Sequence, residues 1–173
     1  MRPMEFPHID AFVTEVNIQG MEVRRVLIDG GSSADVIFLD CLRRMGYSEA
    51  DLQPSHTPLQ GFGGNPIYAV GSIKLKVSFS RLGRDRTEDI VFDVVDMPYP
   101  YNALFGRRLI NTFLAVVHHG YLCMKMPGPS GVISIYGNQV EARRIEHGMS
   151  PGQKPVHVWV SRSSRRKRRY VSR

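Results

Sequence analysis

The apolar run Val26-Leu27-Ile28 passes without a break into Asp29-Gly30-Gly31-Ser32-Ser33, and no other segment restricts the fold so strongly. An aspartate at that point sits at the inner end of a strand that is buried as it arrives. Burial disfavours a charged carboxylate unless donors or a partner stand beside it. The residues that follow carry such donors: the Gly31 backbone N–H and the hydroxyls of Ser32 and Ser33. Taken alone, the same letters also fit a polar turn closing a hairpin, where Asp-Gly is a common pair. Both readings stand at this point.

The surrounding pattern is that of a mainly β chain. Ala11 to Ile18 alternates as a strand, Gln19-Gly20 makes a tight turn, and Met21 to Ile28 returns as the second strand of a hairpin. Val36 to Leu39 is a further apolar run leading into a short helix that stops near Gly46. A glycine-rich stretch covers Leu59 to Gly71. Ile73, Leu75, Val77 and Phe79 then alternate with polar residues, the plainest two-residue period in the chain. Leu82 to Arg86 reads as a turn, Asp89 to Asp96 as a strand ended by Pro98 and Pro100, and Leu109 to Leu114 as a short helix. Two short strands are expected between Ala115 and Tyr136, divided by the Pro-Gly-Pro-Ser-Gly turn at 127 to 131. Many strands, short helices and frequent turns favour a closed or folded-over β architecture.

The order strand, Asp-x-Gly-Ser loop, apolar strand, glycine-rich hairpin, apolar strand, Asn-Ala-Leu-Phe-Gly-Arg, helix resembles the retropepsin family of aspartic proteases. It is most similar to the protease region of plant gypsy-type LTR retrotransposon polyproteins. The most specific segments are Val26 to Ile37 and Tyr101-Asn102-Ala103-Leu104-Phe105-Gly106-Arg107. The resemblance spans residues 9–145, which sets residues 1–8 apart as an N-terminal extension and 146–173 as a disordered Pro/Gly and basic tail. It implies a retropepsin-like closed β-barrel with one or two short helices, and an aspartic endopeptidase with Asp29 as its catalytic residue. Gly30, Gly31, Ser32 and Ser33 would form the catalytic loop, and Leu104, Phe105 and Gly106 would support it from beneath. Arg107 would brace a dimer. Gly61, Phe62, Gly63, Gly64 and Asn65 would form the flap over a bound peptide. Gly30 departs from the threonine or serine of better-known members, whose hydroxyl hydrogen-bonds across the dimer. Glycine removes that brace and adds backbone freedom.

Only one Asp-x-Gly-Ser occurs, so a site of this class needs a second copy of the chain, most simply about a twofold axis. The expected function is cleavage of a retroelement polyprotein by a homodimer. The alternative is a weakly active or inactive relic that serves as a dimerisation or peptide-binding module. No cofactor and no metal are expected. His118, His119, His147 and Cys123 match no zinc spacing, and adjacent histidines on a strand face opposite ways. The glycines at 61, 63 and 64 are not followed by a phosphate-binding signature. Neither Ser32 nor Ser33 lies in Gly-x-Ser-x-Gly.

Charge adds one further reading. Residues 161–173 hold seven basic and no acidic residues; subtracting them from 23 leaves 16 against 16 acidic, so residues 1–160 are formally neutral. Nucleic acid is therefore a partner only through this tail, by phosphate contacts. No apolar run is long enough to span a bilayer, and two widely separated cysteines, Cys41 and Cys123, read as free thiols. An intracellular setting, cytoplasmic or nuclear, is expected.

Overall fold

The computed structural model describes residues 3–61, 64–81, 83–148 and 159–160. Six strands close a barrel in the order β1 (Phe12–Ile18), β2 (Met21–Ile28), β8 (Ala103–Phe105), β3 (Val36–Phe38), β7 (Arg84–Val95) and β6 (Gly71–Arg81), with β6 returning to β1. A three-stranded sheet of β9 (Val116–His118), β10 (Cys123–Gly128) and β11 (Gly131–Tyr136) packs beside it. A small third sheet runs β12 (Trp159–Val160), β4 (Pro58–Gln60), β5 (Ile67–Tyr68). The helices are α1 (Leu39–Arg44), α2 (Arg107–Thr112) and α3 (Gln139–His147). Among the described residues, no helix is long and apolar enough to cross a membrane.

The continuous apolar runs have a simple cause: the wall they build is covered on both faces. Val26 and Ile28 of β2, Ile37 of β3, and Ala103 and Phe105 of β8 enter the main core with Phe12, Phe79, Phe92 and Phe113. Their alternate neighbours Leu27, Val36, Phe38 and Leu104 enter a second core with Val13, Leu59, Ala142 and Ile145. The second core is closed by α3, so residues that would face water in an ordinary barrel are buried. β6 lacks such a cover on its outer face. Ile73, Leu75, Val77 and Phe79 are buried on its inner face in the main core, while Lys74 and Lys76 on the outer face are exposed, which explains the clean alternation.

Several boundaries differ from the sequence reading. Arg84, Asp85 and Arg86 belong to β7 and pair with Arg81, Ser80 and Phe79 across the hairpin, although their polarity suggested a turn. Charge is tolerated there because Asp85 is exposed and the half-buried Arg86 guanidinium donates to the carbonyls of Thr112 and Pro127. Three strands, not two, lie between Ala115 and Tyr136, and β10 and β11 continue to Gly128 and Gly131, leaving a tighter turn. α3 was not anticipated. It is capped by the Asn138 side chain, which accepts from the Glu141 N–H at 3.0 Å, and it reaches His147. The N-terminal extension is tied to this helix: Gln139 Nε2 donates to the Glu5 carbonyl at 3.1 Å and to Asp10 Oδ2 at 2.8 Å, and Arg143 pairs with Asp10 and Glu5. β12 lies within the segment set apart as a tail; the rest of 149–173 falls outside the described residues. Cys41 and Cys123 are unbridged.

Candidate active site

Parallel pairing of β2 with β8 aligns Leu27 with Leu104 and Ile28 with Phe105, and so delivers Asp29 to the end of the wall. The Asp29 N–H donates to the Phe105 carbonyl at 2.9 Å, continuing the ladder one residue past the strand. The chain then turns: the Ser32 N–H donates to the Asp29 carbonyl at 3.1 Å, and the Arg107 N–H to the Ser32 carbonyl at 2.8 Å. From there β3 runs back along the other edge of β8, pairing Val36 with Leu104. β8 thus lies between the two strands that hold the loop.

The Asp29 side chain is buried, and both its oxygens are engaged by the donors that the sequence suggested. The Gly31 N–H donates to Oδ1 at 2.9 Å and the Ser32 hydroxyl to Oδ2 at 2.6 Å. Charge-assisted bonds of this kind are strong and hold a carboxylate in one orientation. Beside it opens a cavity of about 640 Å³ lined by Asp29, Gly30, Gly31, Arg107, Ile110, Val117 and His119. Gly30 lies outside the left-handed region, and a Cβ there would meet nothing within 4 Å. Gly106 is the opposite case. A Cβ there would fall 2.3 Å from the Ala34 carbonyl oxygen and 2.7 Å from that of Ser32, so only glycine lets the two segments approach.

Of the other residues singled out from the sequence, Leu104 and Phe105 pack on opposite faces of the wall, one in each core. Ser33 is half-buried in the loop. The Arg107 guanidinium reaches the Gly31 carbonyl of its own loop at 3.4 Å and borders the cavity. Gly61, Gly64 and Asn65 lie in the connection between the paired strands β4 and β5, with positive φ at Gly61 and Gly64; Phe62 and Gly63 lie outside the described residues. His118 accepts from the Tyr121 N–H at 3.1 Å, His119 borders the Asp29 cavity, and His147 lies on α3.

Sequence reasoning passed over a second acidic centre behind the loop. Asp35 is almost fully buried, and its Oδ1 accepts from the N–H groups of Gly106 at 2.8 Å and Leu109 at 3.4 Å. Arg108 stands 3.8 Å from Asp35 Oδ2 and 3.5 Å from Asp93 Oδ2, and so links α2 to the residue just before β3 and to β7. Burial pushes the Asp35 carboxyl up to about 6, against the opposing pull of the Gly106 N–H and Arg108. Burial also raises Asp93, opposed by Arg108 and by a hydrogen bond with Thr57, just before β4. The signal was present: Ala34-Asp35-Val36 and Phe92-Asp93-Val94 each place a carboxylate within an apolar run. Such a group must find donors inside.

No known protein family has a sequence description matching this chain, and no curated protein sequence matches it. Among solved structures it is similar to the retroviral protease-like domain of Ddi1 from Leishmania major, with a TM-score of 0.55 at 11% identity. That likeness covers 75% of this chain and 95% of the other. The chain has a retropepsin-like fold.

Proposed function

We propose that the chain is a retropepsin-type aspartic endopeptidase acting as a homodimer, with one Asp29 from each copy. The observation that carries this reading is the Asp29 carboxylate itself. It is buried at a strand end and oriented by the Gly31 N–H and the Ser32 hydroxyl, and it borders a cavity. The retropepsin-like fold supports the same reading. Exposed Leu114 and Val116, next to the cavity-lining Val117 on the outer edge of β9, give apolar surface for a second copy.

In this reading the paired carboxylates share one proton and hold a water between them. The ionised partner takes a proton from the water as it attacks the scissile carbonyl carbon, while the protonated partner donates to the carbonyl oxygen. Collapse of the tetrahedral species breaks the C–N bond, and the amine leaves with a proton. The substrate is an extended polypeptide under the Gly61–Asn65 flap, and a retroelement polyprotein in an intracellular setting is the proposed source. No metal or cofactor enters the chemistry.

A second reading rests on Gly30. Without a hydroxyl to brace the two loops, the dimer would bind peptide yet cleave it slowly or not at all. The test is cleavage of a peptide library by wild type and Asp29→Asn, with pepstatin as control and sedimentation to follow dimerisation. Cleavage lost in Asp29→Asn supports the protease. Activity that survives the substitution overturns the mechanism, and a wild-type dimer that binds peptide without cutting it favours the second reading.

A further inference from the structure

The strand that leads into the flap has two edges. β5 pairs with one; the other pairs with β12, antiparallel, matching Trp159 with Gln60 and Val160 with Leu59. Leu59 is fully buried in the core that also holds Leu27 and Ala34, which flank the Asp29 loop on either side. The edge taken by β12 therefore belongs to a strand seated on the elements that carry the candidate catalytic carboxylate. An open strand edge is a template for any extended segment, and its recognition comes from main-chain hydrogen bonds. The C-terminal segment is suited to it: Val156-His157-Val158-Trp159-Val160 alternates β-branched residues with larger side chains. Its described pairing is short, two residue pairs, so a longer peptide would make more bonds to the same edge.

We propose that the β4 edge is where an extended substrate docks, and that the chain's own Trp159–Val160 strand occupies it as a competitor in cis. The inference rests on the peptidase reading above and deepens it. A segment held on the same chain acts at a high effective concentration. Peptide must displace it, and the apparent affinity falls by the fraction of time the edge is free.

The test uses the full chain carrying Asp29→Asn, so that nothing is cut, and a substrate-length peptide whose central bond is a reduced, uncleavable amide. Val160→Pro removes a backbone N–H and disfavours strand pairing, and it leaves the basic residues of 161–173 in place. The peptide is expected to bind the Val160→Pro chain about tenfold more tightly, as for an edge filled about nine-tenths of the time. Hydrogen exchange at the Trp159 and Val160 backbone amides reads this strand directly; it should quicken as peptide saturates the unsubstituted chain. Equal or weaker peptide binding by Val160→Pro, or amide exchange indifferent to bound peptide, overturns the inference. Cleavage by the Asp29 chain would then still stand. If neither chain binds peptide and the Asp29 chain cleaves none, both readings fall.

Discussion

Replacing Asp35 by asparagine isolates what the second acidic centre costs. Asparagine keeps Oδ1 as acceptor for the Gly106 and Leu109 N–H groups and removes the charge. Because the folded pKa lies above the unfolded one, the native chain holds this proton more tightly than the unfolded chain does. The stability linked to it is complete below the unfolded value of 3.8 and is lost as pH rises through about 6. That shift corresponds to about 3 kcal/mol from well below pH 3.8 up to pH 7. Asp35→Asn, which mimics the protonated form, should match wild type near pH 4 and exceed it by up to about 3 kcal/mol at pH 7. With an m-value of about 2 kcal/mol/M, urea midpoints at pH 7 would separate by about 1.5 M. Asp35→Ala must behave differently, since two buried N–H groups lose their acceptor at about 1–3 kcal/mol each. Urea unfolding of the three chains at half-unit steps from pH 4 to 7.5 checks this. Wild-type and Asp35→Asn curves that stay parallel over the whole range would refute the argument, because the charge would then cost nothing.

Three further outcomes follow from the loop and its supports. Gly30→Thr is expected to fit without backbone strain and, in the proposed homodimer, with two braces at about 0.5–1.5 kcal/mol each, to tighten dimerisation about 5- to 150-fold by sedimentation. Gly106→Ala drives a methyl group into the carbonyls of Ala34 and Ser32 and should destabilise the fold by about 1–3 kcal/mol or more, read as a fall in Tm. Arg86→Met should cost about 1–3 kcal/mol in denaturant titration: Arg86 donates to the carbonyls of Thr112 at 3.1 Å and Pro127 at 3.0 Å, joining the end of α2 to β10.

The parts legible in the sequence were those where one physical demand dominates. Val26-Leu27-Ile28 followed by Asp29 is readable because a two-faced buried strand must be apolar throughout and a buried carboxylate must have donors. Gly46 ends α1 with φ +92, as a helix stop in the left-handed region requires. Less legible was α3, which is only nine residues long, buries only Ala142 and Ile145 and leaves Val140 exposed. Its entry signal, Asn138 three residues before Glu141, was there to be read. Asp35 and Asp93 were visible as letters, but their joint use of Arg108 depends on β3 lying parallel to β7, and no local pattern encodes that pairing. β12 depends on a partner 101 positions earlier in the chain, Leu59 against Val160 (160 − 59).

The position of β8 between the two strands of the Asp29 loop also sets a timetable. Leu27 and Leu104 pair although 77 positions separate them (104 − 27), so the floor under the aspartate does not exist in any shorter chain. At a synthesis rate of about 5–20 residues per second, about 4–15 s pass between the making of that strand and of its neighbour. Throughout that interval Asp29 has no Phe105 carbonyl to receive its N–H, and Arg107 has not arrived to close the turn. A nascent or prematurely ended chain therefore carries the aspartate without the scaffold that orients it, and the geometry of the loop is coupled to completion of the domain.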